Sequence, residues 1–442
     1  MALSKITNLS ITDDAVRTVG IQDVAVTGAK INDDAISGQG ALGAAPADTD
    51  EFLVSDAGTL KRVDYSYIKG ITQTSFLPDA LPLIINGDMQ VAQRSTSVTG
   101  ITNDGYHTCD RFNVMMGSIG TWTQTQETLT SGNAYANGFQ KAWRIDCTTA
   151  DASPAASAYM AFQYYFEGQD VQVFKKGTAN AQKYTLAFWV KSNKTGTGQI
   201  NLYDYDAGSR LVGGTYAISS ANTWEHKVVN FPADTTGVID NDNAKSFSIV
   251  WWLDSGTNFS SGTTPTAWEA ENNPDRNASG TLALADSTAN DWAITGIQLE
   301  VGEYTSSTLP PFQHESFGDN LHRCRRYTQL HMNTDENGGP FLGLCFAYAA
   351  NNWQSQLLCN PPMRIVPAVT SVNSSNAYVI FSNGGTINYN QIDLNDATVS
   401  GNVCTIVDLS LDGADGGTAG HAGKTRGNST GAGTMCLLSS EL

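Results

Sequence analysis

KSFSIVWWLD, residues 245–254, contains the densest apolar run of the chain, Ile249-Val250-Trp251-Trp252-Leu253. Such a run falls far short of the ~20 residues that a membrane-spanning helix needs. Bounded by polar residues, it reads as one buried strand. Stretches of the same kind recur at AYMAFQYYFEG (158–168), KYTLAFWVKSN (183–193), GQINLYDYD (198–206), TWEHKVVNFPA (223–233) and DWAITGIQLE (291–300). The Gly, Asn and Asp between them are turn formers, which implies antiparallel sheets. Two sheets packed face to face would cover the apolar sides, so an all-β sandwich is expected over residues 81–313.

The remaining chain divides around this block. HESFGDNLHRCRRYTQL (314–330) places Phe317, Leu321, Cys324 and Tyr327 at i, i+4, i+7 and i+10, the stripe of an amphipathic linking helix. Residues 331–442 read as a second β-rich domain, with FLGLCFAY, AYVIFS and NVCTIVDLSL as strands and a Gly-rich loop at 411–434. Within residues 41–80, Phe52-Leu53-Val54 and Leu60-Lys61-Arg62-Val63 flank Ser55-Asp56-Ala57-Gly58, a hairpin signal, and a proline-containing linker follows.

Residues 1–40 differ from the rest. ITDDAVRTVGIQDVAVTGAKINDDAI (11–36) repeats every ten residues, with Ile11, Ile21 and Ile31 opening units that close on Val16, Val26 and Ile36. Neither a plain helix nor a two-faced strand keeps these positions on one side. A unit this short cannot bury its own apolar side chains, so two readings stand: a stalk in which several copies bury the six residues together, or a disordered acidic leader.

Composition narrows the function. The chain has 442 residues, 25 Lys and Arg against 43 Asp and Glu, and a formal charge of -18, which argues against nucleic acid or an anionic membrane as partner. No apolar run is long enough for membrane insertion, and no secretory leader is visible. The seven cysteines are scattered, without a CxxC pair, and are expected to be reduced and buried. Richness in Gly and aromatics without an export signal is the combination found in particle-surface proteins assembled inside a host cell.

Catalytic patterns are absent, and no cofactor is expected. His322 lies beside Arg323, Arg325 and Arg326, a setting for a solvated or capping side chain. Asp240, Asp242 and Asn243 in IDNDN offer alternating oxygens that could help hold Ca²⁺, but the Gly and distal Glu of an EF-hand loop are missing and an acidic turn is the simpler reading. Flat rings with polar neighbours can bind sugars, which makes Trp122, Trp268, Tyr203 and Tyr205 candidate ligand contacts. His421, Lys424 and Arg426 in the Gly-rich loop are further candidates.

Residues 83–330 resemble a module common in bacteriophage tail fibre proteins. The resemblance rests on LIINGDMQVAQRST, GYHTCDRFNV, YTLAFWVKS, TWEHKVVNFP and above all the closing block WAITGIQLEVGEYTSSTLPPFQHESFGDNLHRCRRYTQL. The middle strands also resemble carbohydrate-binding jelly rolls of the family 4/9 kind. The N-terminal units are similar to repeats of trimeric phage fibres, and DTDEFLVSDAGTLKRVDYSYI to the hairpin that often follows them. The resemblance implies an elongated, non-enzymatic homotrimeric virion fibre, located in the tail. Its N-terminus would be held by a phage tail or other virion protein, and its β-domains would meet a host surface glycan or outer-membrane component. The alternatives are a purely structural fibre, adaptor or head-decoration protein, and a tailspike glycan hydrolase.

Overall fold

A computed structural model describes residues 40–44, 46–68, 81–206, 208–333, 341–414, 416–428 and 435–442. The stalk positions Ile11, Val16, Ile21, Val26, Ile31 and Ile36 lie outside the described residues. The chain divides into two compact units, Met1–Phe76 and Leu77–Leu442. In the first, β1 (Glu51–Asp56) and β2 (Thr59–Asp64) pair antiparallel around Ala57 and Gly58. Both turn residues have positive φ, 48° and 84°, the geometry that lets a two-residue turn follow the twist of its strands.

The second unit opens with the sandwich: β3 (Ser97–Gly105), β4 (Phe112–Thr128), β5 (Lys141–Thr149), β6 (Tyr159–Glu167), β7 (Tyr184–Ser192), β8 (Gly196–Asp204), β9 (Arg210–Ile218), β10 (Glu225–Phe231), β11 (Lys245–Ser255), β12 (Glu269–Ala270) and β13 (Asp291–Val301). The order is β10-β7-β13-β5-β4-β6-β11-β8-β9-β12, with β3 on β4, and every pairing is antiparallel. One strand makes the fold. The first part of β4 pairs with β6 and its last part with β5, so at Ser118–Gly120, where both end residues have positive φ, the strand passes from one layer into the other. Layers β10-β7-β13-β5 and β6-β11-β8-β9 thereby face each other across Trp143, Phe162, Phe188, Trp251 and Trp292.

β11 explains why its sequence looked like an unbroken apolar run. Trp251 enters the core against Phe162 and Phe188, while Trp252 on the opposite face lies 5.5 Å from Phe259 of the segment that follows. That segment folds back over the outer side, so both faces are dry and the period of two disappears.

The linking helix is shorter than its sequence stripe. α1 (Phe317–Cys324) is capped by Ser316, whose hydroxyl accepts the Asp319 N–H. Leu321, Cys324 and Tyr327 pack with Ile85 and Val91, whereas Phe317 stays 59% exposed. The helix stops early because Arg326 and Tyr327 both turn to the buried Glu167 of β6: the guanidinium donates two hydrogen bonds and the tyrosine hydroxyl one.

Beyond it come β14 (Thr328–Asn333), β15 (Phe341–Ala349), β16 (Asn352–Met363), β17 (Ala368–Ser371), β18 (Tyr378–Ser382), β19 (Gly385–Tyr389), β20 (Gln391–Ser400), β21 (Val403–Asp412), β22 (Ala422–Gly427) and β23 (Met435–Ser439). They form a small sheet, β14-β23-β17, and a larger one, β19-β18-β22-β15-β16-β21-β20, around Trp353, Tyr378 and Tyr389. β22 corrects the reading of 411–434 as a loop. Its Gly423 faces inward, where a Cβ would lie 2.7 Å from the Ile380 side chain, and buried Thr425 bonds the Tyr389 hydroxyl. Glycine there allows close packing. All seven cysteines are buried and unpaired, and among the described residues no helix is long and apolar enough to cross a membrane.

Candidate functional site

The outer face of the β10-β7-β13 layer carries a groove. In β7 the residues Leu186, Phe188 and Val190 belong to the core, so alternation turns Trp189 outward. Register places His226 of β10 on one side of it and Thr295 of β13 on the other. The Trp189 and His226 rings lie 5.0 Å apart at 35°.

A bulge in β13 opens the floor. Register shifts between Thr295 and Gln298, and Gly296 takes φ +61° where a Cβ would come within 2.6 Å of the Phe139 ring. Phe139 contacts Phe312 at 4.9 Å and His314 at 5.1 Å, both from the segment after β13. Together with Asn137, Gln298 and Ser306 these residues enclose about 470 Å³. Gln298 is fixed by donating its amide to the Pro310 carbonyl at 3.0 Å.

Burial, and then the neighbouring Lys227, hold the His226 imidazole below its ordinary pKa, so it is neutral at pH 7 and can both donate and accept. On the same face Arg144 joins Asp146 and Asp291, and Lys191 reaches Glu127 at 3.2 Å. Farther along β13, burial raises the Glu300 carboxyl to about 7. Rings beside amides, hydroxyls and the neutral His226 imidazole suit a ligand with apolar C–H faces and many hydroxyls.

The residues singled out in the sequence lie elsewhere, in separate places. Trp122 is entirely buried, its indole N–H bonded to the Ile119 carbonyl at 2.6 Å, which closes this candidate to a ligand. Its polar neighbours misled because Gln124, on the same side of β4, is itself buried. Trp268 is half-buried against Phe247; its indole N–H is taken by the Pro232 carbonyl, and the Lys176 ammonium covers the ring at 3.7 Å. Tyr203 and Tyr205 stack at 6.1 Å on the outer face of the other layer, Tyr203 almost fully buried and Tyr205 beneath the Lys245 ammonium. His421, Lys424 and Arg426 belong to the C-terminal sheet region; the two cations line a depression with Phe341 and Phe381, and His421 sits in the turn before β22.

Asp242 caps its own turn, accepting the Ala244 N–H at 2.9 Å, and the Asp240 N–H is bonded to Asp206. Among the described residues no three His, Cys, Asp or Glu side chains gather as metal ligands. Trp189 and His226 escaped the sequence reading. The available signal was the alternation of KYTLAFWVKSN, which sets Trp189 opposite its apolar neighbours.

No protein-family model matches the chain, and no curated protein sequence matches it. Among solved structures, similar chains include the tailspike protein 4 enzymatically active domain of bacteriophage CBA120, with TM-score 0.25, 11% identity, and coverage of 50% of this chain and 21% of that one. A family 4 carbohydrate-binding module scores 0.24 at 10% identity, covering 49% and 99%. A family 61 module in complex with β-1,4-galactotriose scores 0.23 at 9% identity, covering 50% and 99%. The chain thus spans about a fifth of the tailspike domain it resembles. These scores are too low to carry an argument, and the sandwich stands on the chain's own strand pairing.

Proposed function

We propose that the chain is a non-enzymatic virion fibre component that mediates adsorption to a host surface receptor, and that its sandwich groove binds a glycan of that surface. The groove around Trp189 and His226 carries this reading: a purely structural spacer needs no concavity lined by rings and polar groups. The sequence resemblance of residues 83–330 to a tail fibre module supports the setting. Weak sites suffice, because several copies on one particle raise avidity by roughly 10² to 10⁴ over a single site.

The test is binding of the full chain to a glycan array and to host cells, with Trp189→Ala and His226→Ala as variants. Loss of one stacking ring and its buried area is expected to weaken single-site binding by about tenfold, equivalent to about 1.4 kcal/mol. Unaltered binding by both variants, each with wild-type circular dichroism, would remove the groove as the receptor site. Release of reducing sugar from host polysaccharide would overturn the non-enzymatic reading.

A further inference from the structure

The outer face of the larger C-terminal sheet is unusually apolar for a surface. Leu344 is 75% exposed, Leu358 69%, Tyr348 69% and Phe341 57%. Contiguous exposure of this kind marks an interaction surface. One cross-strand row runs Phe381, Lys424 and Leu344 on β18, β22 and β15, and continues as Gln356, Asp408 and Asp396 on β16, β21 and β20. The face is therefore basic and aromatic at one end, acidic at the other, and aliphatic between.

Asp408 supplies a second observation. Its Oδ2 accepts the Asn395 amide at 2.9 Å, but its Oδ1 is buried with no hydrogen-bond partner among the described residues. A buried carboxylate oxygen is costly without a donor, and an ammonium of a neighbouring copy would supply one.

We infer that this face is an interface between copies of the chain, with the Lys424 end of one copy set against the Asp396 and Asp408 end of the next. A surface whose two ends carry opposite charge is complementary to itself in a head-to-tail arrangement, which closes into a ring when the rotation permits. The same polarity excludes an anionic bilayer, which the acidic end and the net charge of -18 would repel. The aliphatic centre supplies the buried area, and the charged ends fix the orientation.

Zero-length carbodiimide coupling of the full chain tests this on the native residues. Lys424 and Asp408 stand three strands apart, roughly 14 Å by the usual strand spacing, too far to be joined within one copy. Covalent oligomers with Lys424 linked to Asp396 or Asp408, identified by peptide mass spectrometry, are the expected result. Leu344→Glu, at an exposed site that leaves the core intact, should lower their yield at least tenfold. No such link, or an unchanged yield with Leu344→Glu, overturns the inference. So does a yield that falls when host cells or glycans are added, since the face would then belong to the receptor.

Discussion

Arg111 is 1% exposed, and its position is tolerable because of Glu441, the penultimate residue of the chain. The guanidinium donates to Glu441 Oε2 at 2.5 Å and to the Tyr165 carbonyl at 2.7 Å, and lies 3.4 Å over the Tyr327 ring. Arg94 and the Thr328 hydroxyl also donate to the same carboxylate. Burial pushes the Glu441 carboxyl up, but Arg111 and Arg94 outweigh it and hold it below the usual range. A depressed folded pKa contributes stability that is complete above the unfolded value of ~4.3 and is lost as pH falls through the folded value. Glu441→Ala leaves Arg111 buried without a counter-ion and should cost about 3–5 kcal/mol at pH 7. Urea unfolding should show a smaller gap between wild type and variant at pH 3 than at pH 7; equal gaps would mean that packing, not charge, is lost.

At the scale of elements, β4 decides whether one sheet curls into two layers. Gly120 at its bend has φ +69°, and a Cβ there would lie 2.4 Å from the Thr149 carbonyl oxygen. Gly120→Val combines left-handed strain with a backbone clash and should destabilise by at least ~2 kcal/mol, read from the urea midpoint at unchanged slope. A variant with wild-type stability would show that the bend does not depend on glycine. Local pattern made much of the β architecture legible: β6, β7 and β10 lie within, and β8, β11 and β13 overlap to within two residues, stretches that stand out as apolar segments between turn residues. It could not reveal the bend, because β4 is one strand with two partners and partners are not written locally. For the same reason the groove was hidden. Trp189 and His226 are 37 positions apart and meet only through the β7–β10 register. β22 was misread because glycine needed for close packing against Ile380 has the same composition as glycine in a loop.

Across the whole of Leu77–Leu442, the sandwich and the C-terminal sheets are joined by charge and by the chain end rather than by a linker alone. Arg364 donates to the Ser440 and Glu441 carbonyls at 2.8 and 3.0 Å and to the Asn243 carbonyl of the sandwich at 2.8 Å. Asn243 in turn donates to the carbonyls of Arg364 and Asn402. Arg326 and Tyr327 meet at Glu167, and Arg94 spans to Ser439 and Glu441. Neither part can open without exposing these buried ions, so each raises the cost of unfolding the other. Calorimetry of the full chain should therefore show the sandwich and the C-terminal sheets melting in one transition. Removing residues 440–442 takes away Glu441 and two of the three carbonyls that Arg364 binds, leaving that of Asn243, and should split that transition into two, the C-terminal sheets melting first because their core is the smaller. Two separated transitions in the intact chain would show that the ionic contacts do not couple the parts. A single transition that survives the truncation would shift the coupling to Glu167, Arg326 and Tyr327, which the deletion leaves in place.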